Sequence, residues 1–266
     1  MRKYTTLIVL GVIVAMFGLG WLIYMFFAYV GLEPRRETAL GIVTSEHSFD
    51  TAAIQQAIAD DQSDIFHLEW NDDGKKPTPL PTEAPPDPNT RLPDWTESDF
   101  MRIVMAFAKL TGKDIADANL FQIIFNTDCQ HANAGMQDMT FGFFRDISER
   151  GSRYRTYLRQ FITIAPQSNR LRWQEIKLSE VVREHESLDR HTTHLSAEDA
   201  LQIAENLGGS SFRSEKNNEC LIFGVITEGN SNDEWLVEYK KNKVPFTPLL
   251  TVFIDPQTGQ GRVVTP

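Results

Sequence analysis

The sequence predicts an α+β protein: an N-terminal transmembrane helix, then two tandem modules, each a helix plus an antiparallel sheet. Three observations predict this class. No charged residue stands between Lys3 and Glu33. A capped amphipathic helix is written twice, 100 residues apart, as "DWTESDFMRIVMAFAKLTG" and "HLSAEDALQIAENLGG". Each copy is followed by short blocks of branched and aromatic residues that end in a strand, a Pro-Gln turn and another strand: "ITIAPQSNRLRW" in the first, "VFIDPQTGQGRVV" in the second.

The first element is the uncharged run "TTLIVLGVIVAMFGLGWLIYMFFAYVGL". A spanning helix needs about 20 apolar residues, whereas the apolar region of a cleaved signal peptide is shorter and ends at a small-residue site. Residues 1–32 therefore read as a single-pass signal-anchor segment. Trp21, Tyr24, Phe26, Phe27 and Tyr29 gather at one end, where rings favour the headgroup layer. Gly11, Ala15 and Gly18 form a small-residue ridge that a second helix could approach, although such residues are common in any spanning helix. Arg2 and Lys3 on one flank balance Arg35 and Arg36 on the other, and the terminal amine tips the N-terminus toward the cytoplasm. The expected location is the cell membrane, with the bulk of the chain extracytoplasmic. That bulk carries 24 Lys and Arg (26 less Arg2 and Lys3) against 36 Asp and Glu, a balance of −12. Such a charge argues against nucleic-acid binding, which needs clustered cations for phosphates.

Residues 33–70 form a juxtamembrane segment, in which "SFDTAAIQQAIADD" predicts a short helix capped by Ser48 or Asp50. Residues 71–94 form a proline-rich linker, since seven of the 13 prolines lie between Pro77 and Pro93. Missing backbone donors and restricted φ favour an extended spacer there.

The first module spans 95–180. Thr96 is placed to cap its helix with Asp99 reaching back, Trp95 and Phe100 form a hydrophobic staple, and Gly112 stops the helix. The strand blocks are "NLFQIIFN", "MTFGFFRD" and "YLRQFITIAPQSNRLRWQEIKL". A linker covers 181–194, and the second module covers 195–266. There Ser196 caps, Asp199 answers, Leu201, Ile203, Ala204 and Leu207 form the apolar face, and Gly208 and Gly209 end the helix. Its strand blocks are "CLIFGVITEG", "EWLVEYKK" and "LLTVFIDPQTGQGRVVT". Asn169 and Gly259 stand at matching positions in the two turns, where the reversal requires positive φ. Caps and turns align together, so the halves read as an internal duplication.

On "LSAEDALQIAENLGG", "NDEWLVEYKK" and "VFIDPQTGQGRVV", the second module resembles a PepSY domain across about residues 194–266. The first copy, about 94–180, matches in layout only: it lacks the Trp of "EWLVEY" and has Ala165 where Asp255 stands. The resemblance implies a small α+β module with a helix packed on an antiparallel sheet. It also implies inhibition or binding of another molecule, without catalysis, in extracytoplasmic bacterial proteins and protease propeptides.

Neither a nucleophile motif, nor a phosphate loop, nor a paired-histidine metal motif occurs, and no cofactor is expected. The cluster "REHESLDRHTTH" sets His185, His191 and His194 among acidic residues, a weak candidate metal site that reads more simply as a solvated linker. Asp128, Cys129 and His131 form a weaker set. Cys129 and Cys220 are open to a disulfide in an oxidising compartment and equally to two unrelated thiols. Seven arginines fall between Arg145 and Arg172. Arg153, Arg155, Tyr157 and Arg159 alternate as one strand face would present them, and with Arg170 and Arg172 they form a candidate partner-binding surface. The functional expectation is a membrane-anchored, non-catalytic extracytoplasmic protein that binds or modulates a protein partner. The alternatives are an accessory single-pass subunit of a larger membrane complex, with Gly11, Ala15 and Gly18 at the contact, and a metal-binding protein or metal-dependent enzyme.

Overall fold

Ten strands of one sheet follow each other in the order β10-β9-β8-β7-β3-β4-β5-β6-β1-β2 in a computed structural model of the chain. The structure describes residues 38–60, 71–72, 94–113, 115, 117–132, 135–149, 155–180, 195–216, 219–227, 234–241 and 248–264. The elements in chain order are β1 (Thr38–Ser48), α1 (Thr51–Ala59), β2 (Asn71–Asp72), α2 (Glu97–Leu110), β3 (Asn119–Asp128), β4 (Asp138–Asp146), β5 (Arg155–Ala165) and β6 (Arg170–Glu180). They continue as α3 (Ala197–Ala204), α4 (Ser210–Glu215), β7 (Cys220–Thr227), β8 (Trp235–Lys241), β9 (Pro248–Ile254) and β10 (Gly261–Val264).

Both capped helices form where their sequences place them. Thr96 Oγ1 accepts from the Asp99 N–H while the Asp99 carboxylate accepts from the Thr96 N–H at 3.0 Å. The Trp95 and Phe100 rings meet edge to face, with centroids 5.5 Å apart. Ser196 caps α3 through its hydroxyl, which accepts from the Asp199 N–H and donates to the Asp199 carboxylate. Asp50 caps α1 through the N–H groups of Ala52 and Ala53. Gly112 (φ 65°), Asn169 (φ 53°) and Gly259 (φ 68°) adopt the left-handed conformation at the helix stop and the two strand turns.

Each of the two chain segments contributes a helix and a four-stranded antiparallel meander, β3 to β6 and β7 to β10. The meanders join at their first strands, with β3 antiparallel to β7 from Gln122 opposite Thr227 to Asp128 opposite Leu221. Both helices lie over one face of this continuous sheet. Phe100, Ile103, Val104 and Phe107 of α2 and Ala197, Ala200, Leu201 and Ala204 of α3 are buried in one core. From the sheet, Phe125, Phe141, Ile162, Trp173, Trp235 and Tyr239 enter the same core. Alternation along the strands sends the intervening residues to the other face. There Phe121, Phe144 and Tyr157, with Phe161 against them, make a small aromatic cluster. A register irregularity between Leu120 and Gln122 turns both Leu120 and Phe121 to buried sites.

Two expectations are corrected and one element is added. The fold class with a single-pass signal-anchor is not supported: no helix among the described residues is long and apolar enough to cross a membrane. The longest, α2, has 14 residues and one apolar face, against about 20 apolar residues for a span. Residues 1–32, including Gly11, Ala15 and Gly18, lie outside the described residues, as does most of the proline-rich linker. Second, Thr38–Ser48 is a strand, and it extends the sheet beyond β6. Its partner strand lies more than 120 residues along the chain, so no local signal marks the pairing. Third, Gly208 and Gly209 do not end the second helix. The chain passes through a wide turn over Glu205–Gly209, with Gly208 at φ 132°, and resumes as α4. A Cβ on Gly209 would sit 2.0 Å from the Tyr239 hydroxyl, so glycine lets the turn lie directly on β8.

Candidate functional site

Arg155, Arg159, Arg170 and Arg172 are engaged within the fold. Arg155 Nη1 lies 3.0 Å from Asp146 Oδ2. Burial works against the Asp146 carboxylate, yet the Ser148 hydroxyl and N–H together with Arg155 outweigh it and hold its pKa below the ordinary value. Arg159 stands over the Phe121 ring at 5.5 Å. Arg170 and Arg172 both approach Glu46 of β1, at 3.8 and 2.6 Å, and so tie that strand to β6. Tyr157 is 3% exposed, inside the aromatic cluster on the far side of the sheet. The strand alternation was legible, but the partners of these side chains come from β1, β3 and β4, which sequence spacing does not reveal. Arg153 lies outside the described residues, as do His185, His191 and His194. Among the described residues, no three His, Cys, Asp or Glu side chains converge as a metal site requires.

Cys129 and Cys220 form a disulfide, at the end of β3 and the start of β7, where the two meanders join. The Cys129 N–H also donates to the Cys220 carbonyl at 2.9 Å. His131 and Asp128 of the adjacent turn hydrogen-bond to each other at 2.8 Å, and Asp128 caps the backbone N–H groups of Gln130 and His131.

A cleft of about 400 Å³ opens beside this disulfide. Its lining comes from three places: Trp95 ahead of α2, Ala132, Gly135 and Met136 between β3 and β4, and the α3–α4 segment from Glu198 to Arg213. Trp95, Met136 and Leu201 supply buried apolar surface. Glu205 and Arg213 are also buried, as an ion pair in the floor. Arg213 Nε donates to Glu205 Oε2 at 2.9 Å, and its Nη1 donates to the Cys129 carbonyl at 2.9 Å. The Tyr239 hydroxyl donates to Glu205 Oε1 at 2.7 Å. Burial, and then that hydrogen bond to a carboxylate, push the Tyr239 phenol far above its ordinary pKa. Buried charges persist when paired and hydrogen-bonded in this way.

Gln202, Asn206 and Ser210 form an exposed rim at four-residue spacing. The Gln202 amide donates to Asn206 Oδ1 at 3.2 Å. At the inner end, the N-termini of α2 and α3 hold each other. The Glu97 carboxylate accepts from the Ala197 N–H at 2.9 Å, and the Glu198 carboxylate accepts from the Glu97 N–H. One donor is left over: the Trp95 indole N–H is buried and meets no acceptor among the described residues.

Sequence reasoning missed this site. Trp95 was legible as a staple, and Tyr239 as packing, but Glu205 and Arg213 carried no motif. The available signal was Glu205 itself, a carboxylate interrupting an apolar helical face beside a double glycine.

Fold and site together define a one-sided antiparallel α+β sheet protein with a cleft at the junction of two helix-bearing meanders. No protein-family model matches the chain, and no curated protein matches it either. A solved structure, the full-length peroxisomal multifunctional enzyme type 2 from Drosophila melanogaster, aligns with 84% of this chain and 47% of its own at 10% identity. The chain thus spans about half the length of that enzyme, and at a TM-score of 0.19 the likeness carries no argument.

Proposed function

We propose that this chain is a non-catalytic binding protein of an oxidising compartment, and that its partner enters the cleft beside the Cys129–Cys220 disulfide. The observation that carries this reading is the cleft itself, where Trp95, Met136 and Leu201 stand beside the Glu205–Arg213 ion pair under an exposed polar rim of Gln202, Asn206 and Ser210. The charged groups of the floor are engaged with one another, which favours holding a partner over moving protons. The PepSY-like pattern of the second module supports the same reading, because modules of that kind bind or inhibit. A disulfide between the two halves fits an oxidising location.

Affinity capture with the full chain and with an Asn206→Arg variant tests the proposal. Asn206 is an exposed helical residue on the rim, so the change crowds the cleft and leaves the core alone. A partner recovered with the original chain should be lost with the variant, at unchanged thermal stability. Equal recovery with both would place the binding surface elsewhere and sink the cleft reading.

A further inference from the structure

We infer that this chain forms a two-fold pair with a second copy of itself, through the face of the sheet opposite its helices. The inference is independent of the cleft, which lies on the helical side and stays open in such a pair.

α1, α2, α3 and α4 all pack into the core on one face of the sheet, and no described element covers the other. On that other face the cross-strand register lines up one row: Thr163, Thr140, Ile124, Val225, Leu236 and Phe253, one side chain from each of six neighbouring strands. All six are half-buried. The polar groups around the row pair sideways. The Thr140 and Thr163 hydroxyls meet at 2.8 Å, and the Gln122 amide donates to the Thr227 hydroxyl at 2.8 Å. The Asn126 amide donates to the Asp138 carboxylate at 2.7 Å. Lys240 lies 2.7 Å from Glu238 and 4.2 Å from the centre of the Phe223 ring. A face satisfied in this way is cheap to desolvate and offers a charged ligand no free counter-ion.

Shape selects a second copy as the occupant. The row grades from two threonines at one end to a phenylalanine at the other. A two-fold axis along the strands sets the wide end of one copy over the narrow end of the other, with Ile124 and Val225 at the centre. Sheets stack face to face in such a manner, about 10 Å apart. The area suffices as well. β8 and β9 are seven residues long, and six strands of that length present about 650 Å² per copy, or about 1,300 Å² for the pair. Stable interfaces bury about 1,200–2,000 Å². Each copy carries a net charge of −10, so the pair is opposed at low salt and strengthened as salt screens that repulsion.

The test is light scattering of the full chain after gel filtration, over a range of concentrations. The mass should rise from 30.3 kDa toward twice that value and stop there, because a two-fold contact closes on itself. Val225→Lys sets two like charges across the axis and should weaken the pair about a hundredfold or more. Val225→Thr keeps the branched shape, so it should melt as the original chain does and weaken the pair several-fold; it decides the matter if the lysine variant does not fold. Met105→Lys, at an exposed position of α2 on the helical side, should change nothing. A single-chain mass at every concentration overturns the inference, and so does open-ended growth. A pair that survives the folded Val225 variants, or that Met105→Lys abolishes, is made by another surface and overturns it too. Dissociation by added salt would show a contact held by ion pairs, against the apolar face. The cleft reading stands or falls separately, on capture by the Asn206→Arg chain.

Discussion

Tyr239 joins two halves of the molecule through one hydroxyl. Its ring lies buried in β8, and its hydroxyl reaches Glu205 on the helical segment. Removing the hydroxyl leaves one Glu205 oxygen with Arg213 alone, and a hydrogen bond to a charged group contributes about 1.5–3 kcal/mol. Tyr239→Phe should therefore lower the unfolding free energy by about that amount in denaturant titrations. The pH dependence has a definite sign. The folded-state pKa is raised above the ordinary value of 10.0, first by burial and then by the bond to Glu205. The stabilisation is thus complete below pH 10.0 and is lost as pH rises toward the folded-state value. Melting curves above that pH should show a steeper loss for the original chain than for the Phe variant. Asp255 follows the opposite sign: N–H groups of Thr258 and Gln257 lower its pKa, so its contribution fades only in acid.

At the scale of elements, the cleft depends on how the α3–α4 segment crosses the sheet. A straight helix with a side chain at position 209 would be held off β8 by the Tyr239 ring. Gly208 supplies the left-handed φ that bends the chain, and Gly209 supplies the close approach. Gly209→Ala must push Tyr239 or the turn aside, an overpacking change of about 1–3 kcal/mol. The expected outcome is a lower melting temperature together with a displaced Tyr239 hydroxyl, visible as weaker protection of the α4 amides in hydrogen exchange. Unchanged melting would mean that the turn relaxes without strain. The mutual capping of α2 and α3 belongs to this scale as well. Each helix N-terminus leaves unpaired N–H groups and a positive dipole end, and here each finds a carboxylate from the other helix.

Across the whole molecule, the halves are joined by the β3–β7 ladder, by one shared core and by the disulfide. The two cysteines are 91 residues apart, so the bond removes a large loop from the unfolded ensemble. The chain-entropy model gives about 4–5 kcal/mol for such a loop. The Cys129→Ser, Cys220→Ser double variant should accordingly unfold at clearly lower denaturant concentration. Because Arg213 donates to the Cys129 carbonyl, the same change should also loosen the cleft floor. A variant as stable as the original chain would show that the ladder and core suffice without the bond. At the other end of the sheet, β1 is held by Glu46 through Arg170 and Arg172, while Ile42 and Val43 stand about 60% exposed.

Local chemistry determined what depends on near neighbours. Thr96, Asp99 and Ser196 marked two helix starts, and Asn169 and Gly259 marked two turns, because caps and positive-φ positions are settled within three or four residues. The doubled plan of helix and strands was legible for the same reason. Long-range pairing decided the rest. Nothing near Thr38–Ser48 announces a strand whose partner is β6, and nothing near Cys129 names Cys220. Arg159, Arg170 and Arg172 meet Phe121 and Glu46, which lie far from them in sequence. The cleft arose from the same cause. Trp95, Met136, the Glu205–Arg213 pair and Tyr239 come from four separate stretches, and only the sheet's closure of β3 against β7 brings them together.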